Sequence, residues 1–254
     1  MALLSLDGVS RNFGGVQAVK SLSMSVSPER IVGLIGPNGA GKTTVVNLIT
    51  GLLKLSEGRI QLDDTDIGEL PPHVIAQLGV ARTFQSIRLL KEASVLDNII
   101  VGFHTGDRTS LLAQAVGSAN VRRVRAGIVA RARGLLDEFG MGGYADFLAG
   151  ELSYGHQRRV EIMRALALEP GVLLLDEPAA GMNDVEAMEL GVVFRRLAER
   201  GLSLVVIEHN MRLVMSLCDE IYVLASGELI AHGNPAAVQS DPRVVEAYLG
   251  GELC

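Results

Sequence analysis

The sequence predicts an α/β fold: a mostly parallel sheet core, an N-terminal antiparallel β layer, and an inserted α-helical sub-domain. Three patterns carry this expectation. The runs Ile31-Val32-Gly33-Leu34-Ile35, Val172-Leu173-Leu174-Leu175 and Ser203 to Ile207 are almost wholly apolar, as strands covered on both faces are. Residues 19–27 alternate instead, with Val19, Leu22, Met24 and Val26 set among Lys20, Ser21, Ser23, Ser25 and Ser27; from Leu22 onward that is a strand with one buried face, the antiparallel habit. From about Asp97 to Phe139 the texture is helical: Val121, Val124, Ile128, Ala132, Leu135, Leu136 and Phe139 recur at helical spacing.

Composition narrows the function. The 254 residues are 48% hydrophobic but only 4% aromatic, so Val, Leu, Ile and Ala must fill the core. A net charge of −6 offers no basic footprint, and nucleic acid is not an expected partner. Arg122, Arg123, Arg125, Arg131 and Arg133 are interleaved in the helical stretch without aromatics, which suits a solvated helix face. No apolar run has the length of a membrane-spanning helix, and Met1 to Asp7 lacks a charged region followed by a signal core; the chain is expected to be made and kept in the cytosol. Cys218, beside the amphipathic stretch Met211 to Leu217, reads as core, and Cys254 is the last residue, a placement that suggests neither a disulfide nor a metal site.

In chain order, Phe13 precedes Gly14-Gly15 and is either a core aromatic or a nucleotide contact. The alternating strand follows, and Arg59 to Asp63 reads as its neighbour in the antiparallel layer. Between them stands Gly36-Pro37-Asn38-Gly39-Ala40-Gly41-Lys42-Thr43, which fits the phosphate-binding pattern G-x-x-x-x-G-K-[S/T] at every fixed position. It lies between the apolar run ending at Ile35 and a helical stretch, Thr44 to Thr50, closed by Gly51. Glycines let successive backbone N–H groups turn toward phosphates, and the helix N-terminus adds roughly half a positive charge. The expected nucleotide contacts are Gly36, Asn38, Gly39, Ala40, Gly41, Lys42, Thr43 and Thr44, with Lys42 on the β- and γ-phosphates and the Thr43 hydroxyl on Mg²⁺.

Gly79 to Phe84 reads as a further strand ending at Gln85. A polar residue at the mouth of an α/β sheet either contacts metal or water or caps a loop. Residues 88–160 are expected to form the helical sub-domain, inserted in a core made of residues 1–87 and 161–254. Leu152-Ser153-Tyr154-Gly155-His156-Gln157 opens a helix that runs to Glu169, with Ser153 placed as N-cap. The strand Val172–Leu175 ends in Asp176-Glu177-Pro178; two carboxylates at the end of a core strand are costly unless they meet a cation. Asp176 is assigned to the Mg²⁺ shell with Thr43, and Glu177 to orienting or deprotonating water near the γ-phosphate. A helix from Val185 to Arg200 leads to the strand Ser203–Ile207 and then to His209, either a structural histidine or part of the site. The hairpin Ile221–Ala231 and a short helix, Pro242 to Leu249, close the chain.

The order of phosphate loop, Gln85, Leu152-Ser153-Tyr154-Gly155-His156-Gln157, Leu173-Leu174-Leu175-Asp176-Glu177-Pro178 and His209 resembles the ATP-binding subunit of an ATP-binding-cassette (ABC) transporter, over essentially the whole chain. The resemblance implies a phosphate-loop, RecA-like core and ATP hydrolysis with Mg²⁺. It implies that Phe13 stacks on adenine, that Gln85 links Mg²⁺ and water to a transmembrane partner, that Ser153 and Gly155 bind the γ-phosphate held by an opposite subunit, and that His209 contacts that phosphate. The catalytic set is then Glu177, His209, Gln85 and Lys42, and the metal set Thr43, Gln85 and Asp176. Tyr154, His156 and Asn183 depart from the family's usual residues. Ala81-Arg82-Thr83-Phe84-Gln85, Ile207-Glu208-His209-Asn210-Met211 and Ala247-Tyr248-Leu249-Gly250 further resemble the ATPases of importers for branched-chain and other hydrophobic amino acids and amides. That group implies two permease subunits, a second and different ATPase (or a second copy) as head-to-tail partner, an external solute-binding protein, and a peripheral place on the cytoplasmic face of the inner membrane. An importer of urea or short amides and a soluble, non-transport ABC ATPase are the alternatives.

Overall fold

A computed structural model describes residues 3–84, 86–103 and 119–249. The expected site residue Gln85, the side chain of Val121, and Gly250 and Cys254 lie outside the described residues. In chain order the elements are β1 (Leu4–Phe13), β2 (Val16–Val26), β3 (Ile31–Ile35), α1 (Lys42–Ile49), β4 (Glu57–Leu62), β5 (Thr65–Asp66), α2 (Pro72–Gln77), β6 (Val80–Arg82), α3 (Val95–Phe103), α4 (Ala119–Glu138), α5 (Tyr154–Leu166), β7 (Val172–Asp176), α6 (Asp184–Ala198), β8 (Ser203–Ile207), α7 (Met211–Leu217), β9 (Glu220–Ala225), β10 (Glu228–Gly233), α8 (Pro235–Gln239) and α9 (Pro242–Leu249).

The core sheet has the order β10-β9-β3-β8-β7-β6. It is parallel except for the β9–β10 hairpin. Alternate side chains of each strand serve two different cores. Val32 and Leu34 of β3, Val172 and Leu174 of β7, and Val205 and Ile207 of β8 face α1 and the antiparallel sheet. Ile31 and Ile35, Leu173 and Leu175, and Leu204 and Val206 face the other helices, packing with Ile99, Leu136, Val160, Phe194 and Leu213. This is why those strands read as unbroken apolar runs: neither face meets water.

The antiparallel sheet has the order β2-β1-β4-β5. The expected layer is present, but β4 is not the neighbour of β2. β1 lies between them, pairing Leu4 with Val26 on one side and with Leu62 on the other. Its irregular register, with shifts at Val9 and Arg11, blurs the two-residue alternation that marked β2. On β2 itself Val19, Leu22, Met24 and Val26 are all buried, as the alternation requires.

Other expectations shift in detail. The strand expected over Gly79–Phe84 is limited to Val80–Arg82, and the helix expected to reach Glu169 ends at Leu166. Within α4, Ile128, Ala132 and Leu136 are buried, but Val124, expected on the apolar face, is 41% exposed. The five arginines of α4 are exposed, the solvated face expected of them. α8 carried no prediction. Asn234 caps it, its side chain accepting the Ala237 N–H at 2.9 Å.

Candidate active site

β3 ends at Ile35 and α1 begins at Lys42, so the loop Gly36–Gly41 runs along the C-terminal edge of the parallel sheet, where such sheets bind ligands. Two of its glycines are required by backbone contacts. At Gly36 (φ +147°) an added Cβ would lie 2.0 Å from the Leu224 carbonyl oxygen, and at Gly41 (φ +104°) 2.5 Å from that of Ala18. β2 and β9 thus press on the loop from outside. The turn after β9 adds a tie, Gly227 N–H to the Ala40 carbonyl at 3.1 Å.

Inside the loop lies the buried side chain of Lys42. Its Nζ donates to the carbonyls of Gly36 (2.7 Å) and Pro37 (2.9 Å). Burial lowers its pKa, against the opposing pull of Glu177 and Asp176. A polyphosphate offers this ammonium a far stronger partner than two carbonyls. Lys42, Thr43, Asp176, Glu177 and His209 meet here, around a cavity of about 230 Å³ that Asn38 to Thr44 line on the loop side. The sequence placed these residues on three separate segments, and the sheet brings them to one edge.

Asp176 closes β7. Its backbone N–H donates to Thr83 Oγ1 at 3.1 Å, and its carboxylate oxygen Oδ2 is buried without a hydrogen-bond partner. Burial raises its pKa; Arg82 opposes, Glu177 adds to the rise, and Arg158 and Lys42 oppose. An orphaned carboxylate oxygen is costly in a dry site. With the Thr43 hydroxyl on the same cavity, it fits a hard cation such as Mg²⁺.

Glu177 follows with φ +50°, a left-handed backbone at a non-glycine residue, a strained state that persists only where its surroundings enforce it. The enforcing contacts are visible. Its N–H donates to the Ile207 carbonyl at 2.9 Å, and its carbonyl accepts from Arg158 Nε (3.2 Å) and Nη2 (3.0 Å). The Glu177 carboxylate meets His209, Nε2 to Oε1 at 3.3 Å, so His209 belongs to the site rather than to the core.

Sequence reasoning missed two buried charged residues that hold this edge together. Arg158, on α5 and fully buried, reaches the carbonyls of Phe84, Asp176 and Glu177 and pairs with Glu161 Oε2 at 2.6 Å. Glu208, also buried, accepts from the N–H groups of Ala179 (2.7 Å), His209 (3.1 Å) and Asn210 (3.3 Å). The signal for Glu208 was its place after an apolar strand, the same one used for Asp176. Arg158 gave no local signal.

Of the other expected residues that are described, Gly36, Phe13, Ser153 and Gly155 do not line this cavity. Phe13 is 43% exposed at the end of β1, with the Arg11 guanidinium 4.6 Å from its ring centre; of its two readings, the core aromatic is excluded. Ser153 caps α5, accepting the His156 N–H at 3.4 Å, and neither it nor Gly155 lines the cavity. The departures from family residues have local partners. The Tyr154 ring covers Gly181, where an added Cβ would lie 2.4 Å from Cδ1, and the His156 ring packs on Tyr144 at 4.7 Å. Asn183 caps α6 in a reciprocal capping box with Glu186, at 3.0 and 2.9 Å.

A loop of the phosphate-binding pattern, set against an acidic strand end suited to a cation, makes this a phosphate-loop nucleotide hydrolase. Comparison with known proteins narrows the class. Residues 19–180 match the family model described as ABC transporter, and residues 228–253 match that of the branched-chain amino acid ATP-binding cassette transporter. The high-affinity branched-chain amino acid transport ATP-binding protein LivG of Escherichia coli (strain K12) is 41% identical over 249 residues, 98% of each chain. The lipopolysaccharide export system ATP-binding protein LptB of the same strain is 35% identical, covering 100% of this chain and 99% of its own. A solved nucleotide-free ATP-binding cassette from an ABC transporter superposes with a TM-score of 0.85 at 34% identity, covering 98% of this chain and 99% of that one. The chain belongs to the ABC transporter ATP-binding family, and it is an ATPase.

Proposed function

We propose that this chain is the ATP-hydrolysing subunit of an ABC importer that takes up branched-chain or other hydrophobic amino acids across the inner membrane. One observation carries the choice of cargo: residues 228–253 match the branched-chain amino acid transporter model, in a chain that resembles LivG along 98% of its length.

In this reading the loop amides from Gly36 to Thr44 and Lys42 hold the phosphates, and Phe13, exposed at the end of β1, stacks on adenine. Thr43, Asp176 and Gln85 would hold Mg²⁺, which when bound neutralises phosphate charge. Glu177 orients or deprotonates the attacking water, and His209, in contact with Glu177, sets its direction and faces the γ-phosphate. Ser153 and Gly155, at the N-terminus of α5 and outside the cavity of their own chain, complete the site of a head-to-tail partner. That partner is a paralogous ATPase or a second copy. The helical sub-domain, residues 88–160, carries this N-terminus.

Two permease subunits would receive the motion of ATP-driven dimer closure and of reopening after hydrolysis. A groove of about 560 Å³ bordered by Asn47, Leu52, Arg82, Phe84, Arg88 and Tyr154 adjoins Asp176 and Thr43, a seat from which a docked segment would sense the site. An external solute-binding protein would deliver the cargo. No described helix is long and apolar enough to cross a membrane; the place proposed for the chain is peripheral, on the cytoplasmic face of the inner membrane.

The likeness to LptB favours a second reading, an ATPase of an export complex; urea or short amides are alternative cargo, and a soluble non-transport role is the remaining one. Uptake of labelled leucine, isoleucine, valine and urea by the native host, wild type against a chromosomal Glu177→Gln variant, separates them. Loss of branched-chain uptake alone is expected. Loss of urea uptake alone would change the cargo, and unchanged uptake of all four would remove the importer assignment.

A further inference from the structure

Arg11 and Phe13 stand near the end of β1, at the tip of the hairpin that it forms with β2. Phe13 pairs with Val16 across Gly14-Gly15, Asn12 with Gln17, and Arg11 with Val19, which leaves Ala18 over as a bulge. Through that residue the hairpin touches the phosphate loop. Ala18 lines the cavity of the site, and its carbonyl oxygen lies 2.5 Å from where a Cβ on Gly41 would stand. The Arg11 guanidinium lies over the Phe13 ring, 4.6 Å from its centre. One hydrogen bond, Nη1 to the Lys54 carbonyl at 2.9 Å, ties it to the segment that follows α1. Its Nε is buried with no hydrogen-bond partner. Hydrogen bonding alone would not choose this place for a guanidinium; the ring face supplies the remaining attraction. With a cation over one face, the exposure of Phe13 leaves the other face open.

We infer that Arg11 is a positioning residue for the adenine base: it holds Phe13 from behind, so that the open face of the ring is a fixed platform. The bound base completes a stack of guanidinium, phenyl ring and adenine. An unsupported aromatic at a hairpin tip must give up rotamer freedom when a base stacks on it. The Arg11 contact and its tie to Lys54 remove that freedom beforehand. The inference rests on the reading of Phe13 as the adenine contact and is independent of the cargo.

The test compares Arg11→Met, Phe13→Ala and the double variant of the full-length chain by their Kd for ADP and for pyrophosphate, both with Mg²⁺. Pyrophosphate has no base to stack, so its binding reports the phosphate loop and the folded state alone. Arg11→Met keeps an extended side chain and removes the charge. It should weaken ADP binding about two- to fivefold, the span of an exposed cation–π contact. Pyrophosphate binding should be unchanged, and the substitution should have no further effect once Phe13 is replaced. Weaker ADP binding in Phe13→Ala but not in Arg11→Met would overturn the inference and leave the Phe13 reading standing. So would an Arg11→Met loss that persists in the double variant or extends to pyrophosphate, since either marks a role away from the ring. Unchanged ADP binding in Phe13→Ala would remove the Phe13 reading, and the inference with it.

Discussion

Arg158 shows how much one side chain decides here. Fully buried, it gathers three backbone carbonyls and the Glu161 carboxylate, and it is one of the groups holding Glu177 in a left-handed backbone. Removing it leaves Glu161 as an uncompensated buried charge, since Glu161 Oε1 already lacks a partner. Arg158→Ala should therefore destabilise the protein by about 3–5 kcal/mol in denaturant unfolding. A loss below about 1 kcal/mol would mean that the network is not carrying the strand end. Cys218 illustrates the opposite kind of burial. Desolvation pushes its thiol up to about 12, so at pH 8 it should resist alkylation in the folded protein and react once the protein unfolds, as mapped by mass spectrometry. Between pH 9, where an unfolded thiol ionises, and about 12, the native state holds a proton that the unfolded chain has lost. Cys218 therefore lowers stability as pH rises through that window.

The elements of the site were legible in the sequence where a short segment carries its own signal. The phosphate loop needs one spacing of glycines, lysine and threonine; β3, β7 and β8 announce their two buried faces by lacking polar residues. β1 escaped notice because its alternation is broken by register shifts, so the order of the antiparallel sheet came out wrong by one strand. Helix caps belong to the same scale. The reciprocal bonds between Asn183 and Glu186 mean that Asn183→Ala should cost about 1 kcal/mol of stability. Asn183→Asp keeps the acceptor and places a negative charge at the N-terminus of α6, so it should cost nothing. Equal losses in both variants, read by thermal unfolding, would show that the cap is not the role of this residue.

At the scale of the whole molecule, one chain gathers Lys42, Thr43, Asp176, Glu177 and His209 around a single cavity and leaves Ser153 and Gly155 outside it. Under the proposed role of Ser153 and Gly155, a second chain would close the site. Glu177→Gln should hydrolyse ATP at background rate and, with ATP and Mg²⁺, elute as a stable dimer in size-exclusion chromatography. A monomer that hydrolyses normally would remove Glu177 from its role. By itself the sequence determined the phosphate loop, the acidic strand end, the Ser153 cap and the two-sided burial of the core strands. Each follows from the spacing of residues a few positions apart, and spacing at that range is fixed by the covalent chain. Only the tertiary structure decided that β1 separates β2 from β4, that Phe13 faces solvent, and that Arg158 spans 74 positions to meet Phe84. Such pairings depend on how whole layers pack, and a bridge between distant segments leaves no periodic trace in either of them.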